Sequence, residues 1–544
     1  MTKSYLTGLL ILIFGIQASA QNAQYAFRVF FKDKNETIHT LSNPLEYLSQ
    51  RALDRRNKYN IATDSTDLPV VKTYVDSVLT LTEGVLHLTS RWQNSCVILL
   101  EDSVNILALQ NISFVKSFKK VAYYNNGLHQ RPGTPDSSST GNKPTDFDET
   151  FYGAAWTQIH LCDGEYLHQQ GKMGEGILIA VIDVGFTGVN TVSAFDSMFQ
   201  QNRLMDTWNY IYDTADVFGY GEHGRQVLSS MASYLPETHV GTAPKAMYAL
   251  YATDALTSEQ AIEEDNFAAA TERADSLGAD LISTSLGYNE FDDPADSYSY
   301  SDLDGNTTIT AKAANAATRK GIMVVASAGN EGTNSWQHIL TPGDADSAMT
   351  VGSVNALKVH AATSGKGPNA AGTLKPNVSA MGVSASVISG TGSVGTQTGT
   401  SFATPILAGL TACLMQTDPS LSPLEMRSLI ESVSDSFATP TNNIGNGVPD
   451  FKKAYDQITA VEEIIRVKDA FSLYPNPATD KVFISAKNYS GTLTFAIYDL
   501  QGRMVQQGKV KTAESITVST LQDGMYLLKM NNGKAYQVNK LIIR

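Results

Sequence analysis

Apolar runs of five or six residues recur through the middle of this chain and alternate with longer stretches at helical spacing. Ile177–Val181, Ala246–Tyr251, Asp280–Thr284, Ile322–Ala326 and Met349–Val354 read as strands with both faces apolar. Strands look like this when helices cover both faces of a parallel sheet. Between them, Glu259–Leu277 and Thr310–Lys320 read as helices. Alternating strand and helix predicts an α/β domain with a central parallel sheet over 151–460.

Two other patterns flank it. Over 21–124, Ala26–Phe31, Val85–Leu88, Cys96–Leu100 and Phe118–Tyr123 read as strands, and Leu45–Arg56 and Val104–Leu109 as helices. Together they predict a small α+β unit. Over 471–544, Lys481–Ser485, Leu493–Tyr498, Ser515–Val518 and Met525–Met530 read as short strands. Turn residues at Asp499–Gly502 and Asn531–Gly533 separate them, the spacing of a small β-sandwich. Segment 125–150 is rich in Gly, Pro, Ser, Thr and Asp, an exposed linker and a natural cleavage site. A shorter linker is expected over 461–470. No internal repeat is evident.

The N-terminus adds an address. Lys3 precedes the apolar run Leu9–Phe14, and Ala18-Ser19-Ala20 follows. This is the pattern of a secretory signal peptide over 1–20, cleaved after Ala20. The run is shorter than the ~20 residues a membrane span needs.

Composition narrows the classes. The 544 residues are 42% hydrophobic and 17% charged, with a net charge of -14. That builds large cores and argues against disorder. An acidic chain without a Lys/Arg stripe argues against nucleic-acid binding. Three cysteines, Cys96, Cys162 and Cys413, are too few and odd in number for a disulfide scaffold. None has metal-ligand spacing or the setting of a nucleophile. Cys413 lies in an apolar helical run and reads as a core residue.

Four segments of the α/β domain carry candidate chemistry. Asp183 ends the apolar strand Ile179–Ile182, and sites of parallel sheets lie at carboxyl ends of strands. His223, between Gly221 and Gly224, starts a predicted helix. Gly399-Thr400-Ser401 leads into the apolar helix Phe402–Gly409, so Ser401 lies at a helix N-terminus that favours developing negative charge. Asn330 follows the strand Val324–Ala326 in the turn Ser327-Ala328-Gly329, where an amide can donate to an oxyanion. Each alone has an ordinary structural use as a cap or turn residue. Together they place an acid, a base, a nucleophile and an oxyanion donor in one domain.

The chain order Asp183, His223, Asn330, Ser401 resembles the subtilisin-like serine protease family and differs from that of chymotrypsin-like proteases and α/β-hydrolases. Gly241-Thr242-Ala243-Pro244 and Lys375-Pro376-Asn377-Val378 resemble further family segments. The resemblance covers about 156–455. It implies a subtilisin-like three-layer catalytic domain and a secreted endopeptidase acting on protein or peptide substrates. It implies substrate binding along Ser285, Leu286, Gly287 and Ser327, Ala328, Gly329, with Tyr288 expected to narrow or cap that pocket. It implies no required cofactor. Structural calcium is common in the family, and Asp302-Leu303-Asp304-Gly305-Asn306 resembles part of a calcium loop. Three departures stand out: Val184 where the family has a hydroxyl residue, Arg225-Gln226 after His223-Gly224, and Phe402 after Ser401. Arg225 is expected to redirect hydrogen bonds near His223.

The position of the 21–124 unit resembles that of a family propeptide, which acts as folding chaperone and inhibitor. Tyr474-Pro475-Asn476-Pro477, Gly524-Met525-Tyr526-Leu527 and Lys540–Arg544 resemble the type IX secretion sorting domain of Bacteroidota. This implies export through the periplasm to the outer surface or beyond, with the secretion machinery as partner. The competing expectation is a surface binding protein on an inactive protease scaffold.

Overall fold

A computed structural model describes residues 25–124, 147–466, 471–486, 491–499, 503–512, 514–531 and 536–544. The predicted leader, nearly all of linker 125–150, Leu500–Gly502 and Asn532–Gly533 lie outside the described residues. Two units form, 1–452 and 453–544.

The first unit opens with a four-stranded antiparallel sheet. Its strands are β1 (Tyr25–Phe31), β2 (Val85–Ser90), β3 (Ser95–Leu100) and β4 (Val115–Tyr123), in the order β2-β3-β1-β4. The helices are α1 (Gln50–Lys58) and α2 (Lys72–Thr82). α2 was not predicted, and the expected helix over Leu45–Arg56 begins only at Gln50 after a short 3-10 turn. Side chains alternate across a strand, and this sheet uses both faces. Phe27, Val29, Cys96, Ile98 and Leu100 pack with Tyr74, Val75 and Val78 of α2 in a core of its own. Ala26, Val97 and Leu99 belong instead to the core of the α/β domain.

That domain is built on seven parallel strands: β5 (Leu178–Asp183), β6 (Leu204–Asn209), β7 (Met247–Ala252), β8 (Leu281–Thr284), β9 (Met323–Ser327), β10 (Met349–Val354) and β11 (Val378–Met381). Their order is β11-β10-β9-β8-β5-β7-β6. The chain builds one side of β5 first and then the other, so the order reverses at β5. Ligand sites of such sheets lie at that reversal. The main helices are α3 (His223–Ala232), α4 (Ile262–Leu277), α5 (Ile309–Arg319), α6 (Thr400–Met415) and α7 (Pro423–Ser432); a further helix, α8 (Phe451–Arg466), runs across the boundary of the two units. Residues 461–466 of the expected short linker continue α8, and 467–470 lie outside the described residues. Every residue of α6 is buried.

Helix α4 holds the N-terminal sheet by charge. Glu264, Asp265, Glu272 and Asp275 are all buried. Arg28 donates to Asp265 through Nη2 at 2.7 Å. Asp275 receives Arg55, Arg56 at 2.9 Å and Arg91 at 2.5 Å. Glu272 accepts the Ser90 hydroxyl at 2.5 Å and the Arg91 amide at 2.8 Å. Buried charges persist only when paired in this way.

The second unit is a two-sheet β structure. Its strands are β12 (Phe471–Tyr474), β13 (Lys481–Ala486), β14 (Thr492–Tyr498), β15 (Met504–Lys511), β16 (Ser515–Thr517), β17 (Gly524–Asn531) and β18 (Tyr536–Ile543). They form sheets β12-β13-β16 and β15-β14-β17-β18. β12, β15 and β18 were not predicted. β15 is mostly polar and exposed, so it lacks the apolar alternation that marks a strand. Among the described residues, no helix is long and apolar enough to cross a membrane.

Candidate active site

Asp183 ends β5 fully buried. Its Oδ1 accepts the Val184 amide at 2.8 Å and His223 Nδ1 at 2.7 Å. An ionised carboxylate only accepts, so the imidazole proton sits on Nδ1 and Nε2 is left as the basic nitrogen. Burial disfavours the charged imidazolium, but the charge and hydrogen bond of Asp183 outweigh it, and Asp254 adds to them. The His223 pKa therefore lies above its ordinary value. Asp183 Oδ2 has no hydrogen-bond partner. Val184 supplies its amide alone, where the resembling family carries a hydroxyl.

Two glycines allow this contact. A Cβ on Gly185 would lie 1.9 Å from the Tyr220 carbonyl oxygen, and one on Gly224 would lie 2.4 Å from the Gly185 carbonyl oxygen. The turn after β5 and the first turn of α3 touch backbone to backbone. Any side chain there would push His223 away from Asp183.

Ser401 is the second residue of α6 and is 6% exposed. Its hydroxyl donates to the Ser285 carbonyl at 3.3 Å, and the Ser285 hydroxyl donates back to the Ser401 carbonyl at 2.8 Å. The end of β8 is thereby laced to the start of α6. The next ring, Phe402, lies 5.7 Å from the His223 ring, centroid to centroid. Asn330 reaches the same helix start. Its Oδ1 accepts the Thr400 amide at 2.9 Å and the Thr400 hydroxyl at 3.2 Å. Using Oδ1 in this way fixes the amide plane and leaves Nδ2 to donate.

The two expected wall segments also come together. Ser327 ends β9 and donates its hydroxyl to the Leu286 carbonyl at 3.2 Å. The Ala328 amide donates to Val351, and the Gly329 carbonyl accepts the Thr400 hydroxyl at 3.1 Å. Built Cβ atoms on Gly287 and Gly329 would meet Leu340 at 2.8 and 2.6 Å. Leu340 is thus the shared floor of both segments, and no sequence signal singled it out. Tyr288 does not cap this wall from outside. It is buried in the domain core, and its hydroxyl donates to Asp254 Oδ1 at 2.8 Å.

The departure at Arg225 is also resolved. Its buried guanidinium donates to the Thr187 carbonyl at 2.5 Å and to Glu222 at 3.2 Å. It braces the turn before the helix. Cys96, Cys162 and Cys413 are buried free thiols. Burial pushes the first two up to about 12 and Cys413 higher still.

The Asp302–Asn306 segment does not fit a calcium loop. Asp302 Oδ2 accepts from the Ser299 amide and hydroxyl. Asp304 accepts from the amides of Asn306 and Thr307 and from the Thr307 hydroxyl. These carboxylates bind their own backbone. Among the described residues, the side chains that converge closely enough for a cation are His160, Asp163 and Glu165.

Comparison with known proteins agrees with this geometry. Residues 174–448 match the Subtilase family, 26–137 the Peptidase S8 propeptide domain of Bacteroidota, and 472–544 the secretion system C-terminal sorting domain. Subtilisin from Bacillus pumilus is 29% identical over 273 residues, which is 49% of this chain and 87% of that protein. Subtilisin E from Bacillus subtilis (strain 168) is 29% identical over 273 residues, 49% of this chain and 63% of that protein. The chain thus spans less than two thirds of the length of subtilisin E. Among solved structures, fervidolysin from Fervidobacterium pennivorans, a keratinolytic enzyme related to subtilisin, superposes with a TM-score of 0.51. It is 16% identical and covers 93% of this chain and 70% of its own, a likeness of fold. The sorting domain marks the chain for type IX secretion to the cell surface or beyond. With half its length matched by the family profile, this chain belongs to the subtilase family of serine proteases.

Proposed function

We propose that the protein is a secreted endopeptidase that cleaves protein or peptide substrates through an acyl-enzyme, with Asp183, His223 and Ser401 as its triad. The observation that carries this is the 2.7 Å bond from His223 Nδ1 to buried Asp183, beside a serine at the start of a buried helix. His223 Nε2 takes the Ser401 proton as Oγ attacks the scissile carbonyl, and the imidazolium later protonates the leaving amine. For this the hydroxyl turns from the Ser285 carbonyl toward His223. Such contacts commonly tighten only when substrate is bound. Asn330 Nδ2 and the Ser401 amide donate to the oxyanion. The wall segments Ser285–Gly287 and Ser327–Gly329 flank the extended substrate. The reaction uses side chains of this chain and needs no cofactor.

The N-terminal unit keeps the enzyme as a zymogen until cleavage within 125–150 separates it. Its contacts with α4 support that reading. The secretion machinery is the partner of the sorting domain.

A fluorophosphonate probe tests the proposal. Labelling is expected in the mature wild-type protein and lost in Ser401→Ala. Absent labelling in both would leave an inactive binding scaffold. Asn330→Ala is expected to lower kcat by roughly 10²–10³-fold, the effect of deleting one oxyanion donor. Steady-state kinetics on a peptide substrate checks it, with KM changing far less than kcat.

A further inference from the structure

The strand that carries Asp183 has a neighbour with an acid of its own. β7 runs parallel to β5, with Ala252 opposite Asp183. The Thr253 amide donates to the Asp183 carbonyl at 3.1 Å. The next residue, Asp254, is 8% exposed and held at the same end of the sheet as the triad acid. A second element fixes it from the other side. Its Oδ1 accepts the Tyr288 hydroxyl at 2.8 Å. Tyr288 follows directly on the wall segment Ser285–Gly287, and its amide donates to the Thr341 carbonyl at 2.9 Å. The carboxyl is thus clamped between the strand that carries Asp183 and the expected substrate wall, and the Tyr288 hydrogen bond offsets part of the cost of burying it.

We infer that Asp254 is a positioning residue of the catalytic centre, a second acidic group beside Asp183 that sets the basicity of the His223 imidazole. The inference rests on the reading of His223 as general base. The groups facing Asp254 are the Tyr288 and Thr253 hydroxyls, Glu259 ahead of α4, Glu263 within α4, Asp183 at the end of β5, and His223 at the start of α3. Burial pushes the Asp254 carboxyl up to about 7. The hydrogen bond from Tyr288 opposes this, and the charges of Glu259 and Asp183 add to it. Glu263 is pushed up to about 11, first by burial and then by Asp254 and Glu259. The groups facing His223 are Asp183, Asp254 and the Phe402 ring.

The charge of Asp254 acts on His223 in the same direction as that of Asp183, raising its pKa. Ionised Asp254 favours the imidazolium. Because His223 must be neutral to accept the Ser401 proton, the acid limb of activity is displaced to higher pH. Removing the Asp254 charge moves it back down.

The test is the pH profile of kcat/KM for the mature wild-type, Asp254→Asn and Tyr288→Phe proteins on one peptide substrate. This quantity reports the ionisations of the free enzyme. Asp254→Asn is expected to lower the acid-limb midpoint by ~0.5 pH unit or more, the scale of one nearby charge at an intermediate effective dielectric. Tyr288→Phe is expected to shift it in the same direction by less, because loss of the donor makes Asp254 harder to ionise. Fluorophosphonate labelling and the melting temperature establish that each variant is folded. If Asp254→Asn does not fold, the Tyr288→Phe profile decides. Unchanged midpoints in labelled, folded variants would overturn the inference. So would a rise in KM confined to substrates with basic side chains, which would make Asp254 a substrate contact instead. Failure of the wild-type protein to label is a different result, because it removes the underlying endopeptidase reading.

Discussion

Ser401→Ala is expected to lower kcat by roughly 10⁶-fold, and adding His223→Ala to it should cost little more. The reason lies in how the two groups divide the work. His223 Nε2 is useful only as acceptor of the Ser401 proton, and the hydroxyl is a poor nucleophile until that proton leaves. Once either is gone, the other has no task. What survives is the contribution of Asn330 and of substrate positioning, about 10³–10⁴ over the uncatalysed rate. Single-turnover kinetics on the two variants and their combination checks this. Independent, additive losses would show that Ser401 and His223 do not act as one unit. The same variant should also accumulate as an unprocessed chain if the linker is cut by the enzyme itself, which mass spectrometry of the secreted protein reads directly.

The second large effect lies far from the triad. Asp275→Ala in the Ser401→Ala background is expected to destabilise the full chain by about 3–5 kcal/mol, the range for breaking a buried ion pair from one side. Asp275 is fully buried and receives Arg55, Arg56 and Arg91. Arg56 also donates to Asp67 at 2.8 Å, and Lys320 joins Asp67 at 3.0 Å. Removing the carboxylate takes the ion-pair partner from Arg55 and Arg91 and leaves Arg56 with Asp67 alone. Denaturant unfolding measures the loss. Exposed pairs such as Lys72 with Asp76 serve as the control, because surface pairs contribute only ~0–1 kcal/mol. A loss equal to that of the exposed control would mean that the arginines are not buried in the zymogen.

The central sheet was readable in the chain because parallel strands are apolar on both faces. The predicted runs and the observed strands β5, β7, β8, β9 and β10 differ by at most two residues at their ends. Asp183, His223, Asn330 and Ser401 stood out as candidates for a related reason. Their chemistry depends on residue type and on glycine or small neighbours, which sequence displays. The elements that escaped were those whose pattern is set by a partner. α2 gains its apolar partners from the two-faced N-terminal sheet. β15 is paired by backbone hydrogen bonds and buries little. Arg225 looked like a perturbation of His223 and turned out to brace Thr187 and Glu222, because a long side chain at a helix start has several partners in reach.

By itself, the sequence determined the family, the order of the units and the sheet, and singled out the residues proposed as the triad, because each depends on local periodicity or residue type. The tertiary structure alone decided three things. It placed Leu340 beneath both wall segments and set Asp254 beside Asp183 by pairing β7 with β5. It also turned the acidic face of α4, which in sequence looks solvated, into a buried interface. A carboxylate reads as exposed until the arginine that will cover it is known, and Arg28, Arg55, Arg56 and Arg91 lie some two hundred residues away in the chain.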